Sequence, residues 1–204
     1  LLTSIERWVV STLVEYLRRQ WMSGGIPRDV DAGGERGYYS VNISGASIND
    51  KSFPDFLRNL LTRYELPPGL LCFEITETTA ISNLTKAAEL MHDLKGMGCR
   101  FALDDFGTGM SSFAYLKYLP VDHLKIAGMF IKDMGSDAMD HAIVDAINRI
   151  SHILGMRTVA ESVEDAATLA RLKELGVDYA QGYFISEPEA LGAEAGSERT
   201  VLSA

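Results

Sequence analysis

The stretch FALDDFGTGMSSF, residues 101 to 113, places two adjacent aspartates, Asp104 and Asp105, where an apolar run gives way to a loop. Adjacent side chains on a strand point to opposite faces, so a surface strand end needs only one carboxylate. Gly107 and Gly109 give the following backbone more conformational freedom. The pair therefore indicates either a cation site or a site of acid and base chemistry.

The composition of the chain is that of an ordinary globular protein, with 204 residues, 47% of them apolar and 23% charged. One domain is the default at this length. The net charge of −9 argues against binding to a nucleic-acid polymer, which relies on clustered Lys and Arg. Cys72 and Cys99 have apolar neighbours, which predicts buried thiols rather than a disulfide. No apolar run is long enough to span a bilayer, so no membrane contact is expected of this segment.

Segments rich in β-formers alternate with segments of helical periodicity. The predicted strands are 38–44, 71–76, 100–106, 123–127, 157–163 and 179–186, and the predicted helices 1–21, 56–64, 84–97, 112–118, 137–154 and 165–175. Helix 137–154 is expected to pack through a stripe of Ile143, Ile147, Ile150 and Leu154. The alternation with apolar strands indicates parallel strands joined by right-handed crossovers. The four histidines, His92, His123, His141 and His152, are interpreted as structural.

Two architectures fit parallel strands, a closed TIM-like (β/α)8 barrel and an open Rossmann-like sheet. The barrel needs eight strands, whereas six fit the open sheet. Every predicted strand, however, carries a polar residue near its carboxyl end, and only in a barrel do all these ends converge on one mouth. No strand is followed by GxGxxG, the dinucleotide-binding motif. The barrel is therefore predicted, with Asn42, Glu74, Asp104, Asp105, Lys125, Glu161 and Gln181 at its mouth.

These mouth residues supply oxygen donors and one cation. Carboxylate and amide oxygens suit Mg²⁺ or Mn²⁺ rather than zinc. The adjacent Asp104 and Asp105 fit a two-metal site, which stabilises the attacking and leaving oxygens of a phosphodiester. Lys125 is expected to hold a nucleophilic water or neutralise phosphate charge, and Glu161 to bind metal or accept a proton. The reaction class predicted is metal-assisted phosphodiester hydrolysis.

Five motifs, SVNIS, FEITET, LDDFGTGMSSFAYLKYLPVDHLKI, VAESVE and AQGYFIS, resemble in order and spacing the EAL-domain family of cyclic di-GMP phosphodiesterases. The resemblance covers residues 1–188 as one domain and leaves 189–204 as a tail expected to be mobile. It implies a TIM-like (β/α)8 barrel of EAL type with one antiparallel strand. It also implies hydrolysis of cyclic di-GMP to linear pGpG with one or two Mg²⁺ or Mn²⁺ ions.

The resemblance assigns roles by matched position. Its metal ligands correspond to Asn42, Glu74, Asp104, Asp105 and Glu161, and its catalytic pair to Lys125 and Glu161. Gln181 corresponds to a residue that lines the substrate site. Glu77, Thr108 and Gly109 correspond to residues that stabilise the loop 106–112, a substrate-gating and dimer-coupling element of the family. The implied partners are cyclic di-GMP, a second copy bound through the helix after DDFGTG, and upstream GGDEF or sensor domains. The implied location is the cytoplasm, with any membrane anchor in upstream regions.

Three departures from the family pattern define the alternatives. The Glu-Ala-Leu signature and two strands are expected before Leu1, so the sequence is expected to be incomplete at its N-terminus and inactive as it stands; the EAL at 189–191 follows the last strand. Ala127 stands where the family usually has Asp, and Ser162 where it usually has Gly. The alternative is a degenerate module that binds cyclic di-GMP and relays the signal to a partner. An enolase-type barrel is disfavoured by the spacing from DDFGTG to LKI.

Overall fold

The computed structural model describes residues 1–27, 37–109 and 113–191. Six strands, eight α-helices and one 3-10 helix alternate along these residues, as the sequence predicted. The strands are β1 Tyr39–Asn42, β2 Leu71–Thr76, β3 Arg100–Phe106, β4 His123–Ile126, β5 Arg157–Ala160 and β6 Tyr179–Ala180. The helices are α1 Leu2–Ser23, α2 Gly45–Asn49, α3 Phe53–Tyr64, α4 Glu77–Ser82, α5 Leu84–Gly96, α6 Gly128–Asp133, α7 Ala138–Ile153 and α8 Ala166–Glu174, and the 3-10 helix is Phe113–Tyr118. None of the helices in these ranges is long and apolar enough to cross a bilayer.

The chain divides into two compact units. Of the described residues, unit 1 comprises 1–27, 37–103 and 113–121, and unit 2 comprises 104–109 and 122–191. Strand β3 therefore contributes its apolar residues to unit 1 and its carboxyl end, from Asp104, to unit 2.

In unit 1, the parallel strands β1 and β2 pair in a register that sets Asn42 opposite Glu74. The core includes the side chains of Phe73 and Phe101, whose rings are tilted by 37° with their centroids 5.6 Å apart. Cys72 and Cys99 are free and buried, which confirms the prediction of buried thiols. Burial raises the pKa of the Cys99 thiol to about 12, so the thiolate is disfavoured in the folded protein.

In unit 2, β4 pairs with β5 and β5 with β6, both in parallel. Helix α7 packs on β5, but Ile147 alone of the predicted apolar stripe is buried. The buried residues are Val144, Ile147, Asn148 and Ser151, whereas Leu154 is exposed. The rest of the stripe was wrong because two polar side chains face inward: Asn148 donates to the Leu175 carbonyl and Ser151 to the Ile147 carbonyl.

The predicted last two strands were too long. β5 ends at Ala160 because Ser162 adopts a left-handed backbone with φ of 55°. β6 ends at Ala180 because the chain turns at Gly182, whose carbonyl accepts hydrogen bonds from the N–H groups of Ile185 and Ser186. The short helices α2, α4 and α6 were not predicted. Most of the Gly-rich stretch 23–37 and the tail from residue 192 lie outside the described residues.

Candidate functional site

The centre of the candidate site in unit 2 is the ammonium group of Lys125, on β4. Its Nζ lies 2.8 Å from Oδ1 of Asp104 and 2.8 Å from Oε1 of Glu161. Lys125 is buried, and the two carboxylates are largely buried around it. Asp104 lies near the end of β3 and Glu161 follows the end of β5, so three strand ends supply the cluster. The structure thus brings together three of the residues expected at the barrel mouth.

The protonation of Glu161 is set by opposing effects. Burial raises its pKa, the hydrogen bond and charge of Lys125 lower it, and the charges of Asp104 and Asp105 raise it further. The result is a pKa above the ordinary value for a glutamate. A carboxylate with a raised pKa is a stronger proton acceptor, which suits a general base.

Asp105 does not simply continue the strand alternation, because its φ of 53° is in the left-handed region. It is exposed, whereas Asp104 is partly buried. Thr108 closes the turn that follows, since its Oγ1 donates a 2.9 Å hydrogen bond to the Asp105 carbonyl. Gly107 has a φ of 96°, and a Cβ there would lie 2.8 Å from the Phe130 ring. The first half of the loop is thus a tight turn that excludes a side chain at 107; residues 110–112 lie outside the described part.

Ala127 and Ser162 are the two residues of unit 2 that differ from the family pattern, and both lie near the start of α6. Ala127 is buried, caps the N-terminus of α6 without a side-chain hydrogen bond, and donates its N–H to the Phe106 carbonyl at 3.3 Å. Ser162 packs its Oγ against the next residue, Gly128, where a Cβ would overlap it. Ser162 therefore fixes the segment after β5 against the start of α6.

Gln181 lies in the segment after β6 and is exposed. Its N–H donates a 2.8 Å hydrogen bond to the Ala160 carbonyl, and its carbonyl accepts one of 3.0 Å from the Val163 N–H. The backbone of Gln181 is therefore held beside the residues that precede and follow Glu161.

The remaining expected residues lie in unit 1. Asn42 is exposed and its register partner Glu74 is buried, at the carboxyl ends of β1 and β2. Glu77, in the first turn of α4, is buried and accepts a 2.7 Å hydrogen bond from the Tyr115 hydroxyl. Tyr115 was not predicted as a site residue, because nothing in AYLKY distinguishes it from a packing tyrosine. Burial and the hydrogen bond to Glu77 raise its pKa.

The chemistry of the donor set fits Mg²⁺ or Mn²⁺, since every expected ligand offers a carboxylate or amide oxygen. Asp104 and Glu161 already surround a cationic group, the ammonium of Lys125. Across the described ranges, however, no group of three or more His, Cys, Asp or Glu side chains is arranged to hold an ion. The three expected carboxylates of unit 2, Asp104, Asp105 and Glu161, therefore do not form such a group.

The fold and the site define a class: an α/β protein with parallel strands whose carboxyl ends place a lysine between two carboxylates. The EAL domain family model matches residues 1–188, and the chain belongs to the EAL domain family.

The cyclic di-GMP phosphodiesterase PdeB of Shewanella oneidensis is 42% identical over 76% of the chain and 18% of its own length. PdeF of Escherichia coli, also named a cyclic di-GMP phosphodiesterase, is 34% identical over 93% of the chain and 24% of its own length. The bifunctional diguanylate cyclase/cyclic di-GMP phosphodiesterase MucR of Pseudomonas aeruginosa is 35% identical over 92% of the chain and 26% of its own length. The chain thus spans about a quarter or less of the length of these curated relatives.

Solved structures confirm the fold class. The PaMucR phosphodiesterase in complex with c-di-GMP matches with a TM-score of 0.80 and 34% identity, over 92% of this chain and 72% of that chain. The FimX EAL domain of Pseudomonas aeruginosa bound to c-di-GMP matches with a TM-score of 0.79 and 28% identity, over 93% of this chain and 72% of that chain. The chain therefore has the TIM-like fold of EAL domains, as the sequence predicted.

Proposed function

We propose that this protein hydrolyses cyclic di-GMP to linear pGpG. The observation that carries the proposal is the Lys125 ammonium held at 2.8 Å from both Asp104 and Glu161. Family membership and relatives named as cyclic di-GMP phosphodiesterases support it. Because those relatives are much longer than this chain, the activity is proposed for the full natural protein.

Five residues are proposed to hold one or two Mg²⁺ or Mn²⁺ ions: Asn42, Glu74, Asp104, Asp105 and Glu161. When bound, such ions stabilise charge on phosphate oxygens and lower the pKa of water. Support comes from the oxygen chemistry of the set, from the register pairing of Asn42 with Glu74, and from the clustering of Asp104 with Glu161 around Lys125.

The side chains of unit 2 have complementary tasks in this proposal. The attacking water oxygen forms a bond to phosphorus while the bond from phosphorus to one sugar oxygen breaks, and that oxygen takes up a proton from solvent to leave as a hydroxyl. Glu161, with its raised pKa, accepts a proton of that water. The ammonium of Lys125 neutralises charge that develops on the phosphate oxygens, and Asp104 holds that ammonium in place. Gln181 contacts the bound dinucleotide.

The loop residues have a positioning task in the proposal. Thr108 fixes the turn after Asp105 through its hydrogen bond to the Asp105 carbonyl. Glu77 holds the 3-10 helix Phe113–Tyr118 through Tyr115, and Gly109 leaves the loop free of a side chain.

We also propose a dimer partner, upstream domains and a cellular location. A second copy binds through the 3-10 helix Phe113–Tyr118, whose Phe113 and Tyr118 are exposed. Upstream GGDEF or sensor domains are supported by the greater length of the relatives and by the bifunctional name of MucR. A cytoplasmic location follows from the proposed substrate, an intracellular messenger.

The dimer is tested by sedimentation of the wild type and of the Tyr118→Ala variant, which is expected to shift the equilibrium towards monomer. A distribution of monomer and dimer that is the same in both proteins would contradict this interface.

The experiment that tests the function measures conversion of cyclic di-GMP to pGpG by the full natural protein with Mg²⁺ or Mn²⁺. Glu161→Gln is expected to lower the rate by about 10²-fold or more. Its matched control is Glu164→Gln, because Glu164 lies in the same motif but pairs with Lys132 at the exposed surface. Equal losses in the two variants would contradict the assigned base.

Metal binding is tested separately. Asn42→Ala and Asp104→Ala are each expected to weaken Mn²⁺ binding, measured by titration without nucleotide. If the wild type binds cyclic di-GMP but forms no pGpG after long incubation, the hydrolytic function is wrong. The relay function would then be the one supported. The relatives named as phosphodiesterases favour hydrolysis over that alternative.

A further inference from the structure

The contact between the chains of β4 and β5 continues beyond the last residues of the two strands. The parallel register sets Ile126 opposite Ala160, and the Glu161 N–H then donates a 3.3 Å hydrogen bond to the Ile126 carbonyl. Two residues past that register pair, Gly128 and Ser162 meet: a Cβ at Gly128 would lie 2.7 Å from the Ser162 Cβ and would overlap its Oγ. Glu161 is therefore attached to the chain after β4 twice, through its own backbone and through its neighbour's side chain.

The backbone at Ser162 is held on both sides. The Glu161 N–H is bonded to Ile126, and the Val163 N–H donates a 3.0 Å hydrogen bond to the Gln181 carbonyl. Because both flanking amides are bonded, Ser162 cannot change its φ of 55° without breaking one of these bonds. Its side chain is therefore fixed against the start of α6.

Ser162 has a backbone conformation that costs stability. A glycine would adopt this φ with far less strain than a residue with a Cβ. In the part of the chain that the structure describes, the non-glycine residues with positive φ are Glu65, Asp105 and Ser162, of which Glu65 ends helix α3. The other two each directly follow a carboxylate that contacts Lys125. Backbone strain that the surrounding structure holds in place is concentrated at functional sites, where it fixes geometry.

We propose that Ser162 is a positioning residue for the general base: its side chain, packed against Gly128, holds Glu161 at its 2.8 Å distance from Lys125. The inference rests on the proposed function and deepens it by naming what keeps the base in place. Gly128 has to lack a side chain for this contact to exist, so the two residues act as a pair. A glycine at 162 would relieve the strain but would leave Glu161 with fewer restraints.

The test compares Gly128→Ala, Ser162→Gly and the double variant with the wild type, by kcat and KM for cyclic di-GMP in the full natural protein. Gly128→Ala is expected to lower kcat about thirtyfold with a smaller change in KM, because the new methyl group displaces Ser162 and with it Glu161. In the double variant, only the Glu161 carbonyl oxygen, at 3.8 Å, remains of the three atoms nearest to that methyl group. Its kcat is therefore expected to return to within about twofold of the Ser162→Gly value.

Ser162→Gly by itself separates positioning from stability. Its kcat is expected to fall about threefold while its thermal midpoint rises, because the restraint on Glu161 and the strain are lost together. Ser162→Ala keeps the Cβ against Gly128 and is expected to stay within about twofold of the wild-type kcat. The matched control is Gly96→Ala on α5, where a Cβ would meet nothing within 4 Å, and kcat is expected to be unchanged.

A second measurement needs neither metal nor substrate. Amide hydrogen exchange at Glu161 is expected to be about fivefold faster in Ser162→Gly than in the wild type or in Ser162→Ala, because the side-chain contact restrains the segment. A faster local exchange in a protein with a higher thermal midpoint would assign the change to this segment, since a purely structural effect would move both in the same direction.

The outcomes separate this contact from the proposed function. A wild type that forms no pGpG refutes the proposed function, whereas unchanged exchange at Glu161 in Ser162→Gly refutes the positioning contact whatever the activity. In an active protein, a wild-type kcat in Gly128→Ala overturns the inference, and so does a loss of kcat that the double variant fails to recover. If Gly128→Ala does not fold, Ser162→Gly decides, because an unchanged kcat in that variant overturns the inference as well.

Discussion

The hydroxyl of Tyr115 donates a 2.7 Å hydrogen bond to Oε1 of Glu77. This contact joins the 3-10 helix Phe113–Tyr118 to the first turn of α4, across 38 positions of sequence. Because Glu77 is buried, the lost donor cannot be replaced freely by water. The contact therefore anchors the chain that follows the DDFGTG loop.

Tyr115→Phe is expected to lower the free energy of unfolding by about 1 to 2 kcal/mol, because it removes a hydrogen bond to a buried charged group. Urea unfolding measures this change. The double variant Glu77→Gln with Tyr115→Phe is expected to lose less than the sum of the single losses, since the two residues interact directly. Additive losses would show that the contact contributes little. Tyr64→Phe, which removes an exposed hydrogen bond to Glu15, is the matched control and should cost less.

The same contact predicts a pH dependence. Burial and the hydrogen bond to Glu77 raise the pKa of Tyr115 in the folded protein, so the folded state keeps the hydroxyl proton after the unfolded chain has lost it. The stabilisation is complete below the unfolded tyrosine pKa of about 10 and declines as the pH rises above it. Unfolding free energies measured from pH 8.5 to 11 (roughly one pH unit or more on each side of that pKa) should fall more steeply for wild type than for Tyr115→Phe. Parallel curves would refute the assignment.

Lys125→Ala is expected to abolish most activity, by about 10²-fold or more, because it removes the cation placed between Asp104 and Glu161. Lys125→Arg keeps the charge but brings a planar group in place of a compact one, so partial activity is expected. The measurement is the rate of pGpG formation, with cyclic di-GMP affinity as a second readout. A Lys125→Ala variant with unchanged kcat would exclude the ammonium from the reaction.

The cluster around Lys125 was predictable because the carboxyl ends of the strands can be located from the sequence. Short apolar runs that stop at a polar residue gave the bounds of β2 and β3 correctly, and the carboxyl ends of parallel strands gather together. The exposed and buried faces of α7 were not predictable, because inward hydrogen bonds from Asn148 and Ser151 override apolar periodicity. The early end of β5 was missed, although the Gly that the family usually has at the position of Ser162 was a signal of a positive φ there. Tyr115 was missed because its partner Glu77 is distant in sequence.

Ser162→Gly is expected to stabilise the fold by about 0.5 to 1 kcal/mol, because a left-handed φ of 55° strains a residue with a Cβ. Ser162→Ala keeps the Cβ and should bring no such gain. Glu65→Gly is a second control, since Glu65 has a φ of 45° at the C-terminus of α3 and should respond similarly without affecting activity. Chemical denaturation measures all three. A destabilised Ser162→Gly would show that the hydroxyl packed against Gly128 outweighs the strain.

Ala127→Asp tests whether the missing carboxylate limits turnover. Ala127 is the N-cap of α6 and lacks a side-chain cap, so Asp and Asn at this position are both expected to cap the helix, with a gain of about 1 kcal/mol in unfolding free energy. Only Asp adds a charge near the proposed site, and it alone is expected to raise the rate of pGpG formation. Comparison of the two variants therefore separates capping from chemistry. Equal rates in Ala127→Asp, Ala127→Asn and wild type would remove position 127 from the account of activity, because stability would then be its sole contribution.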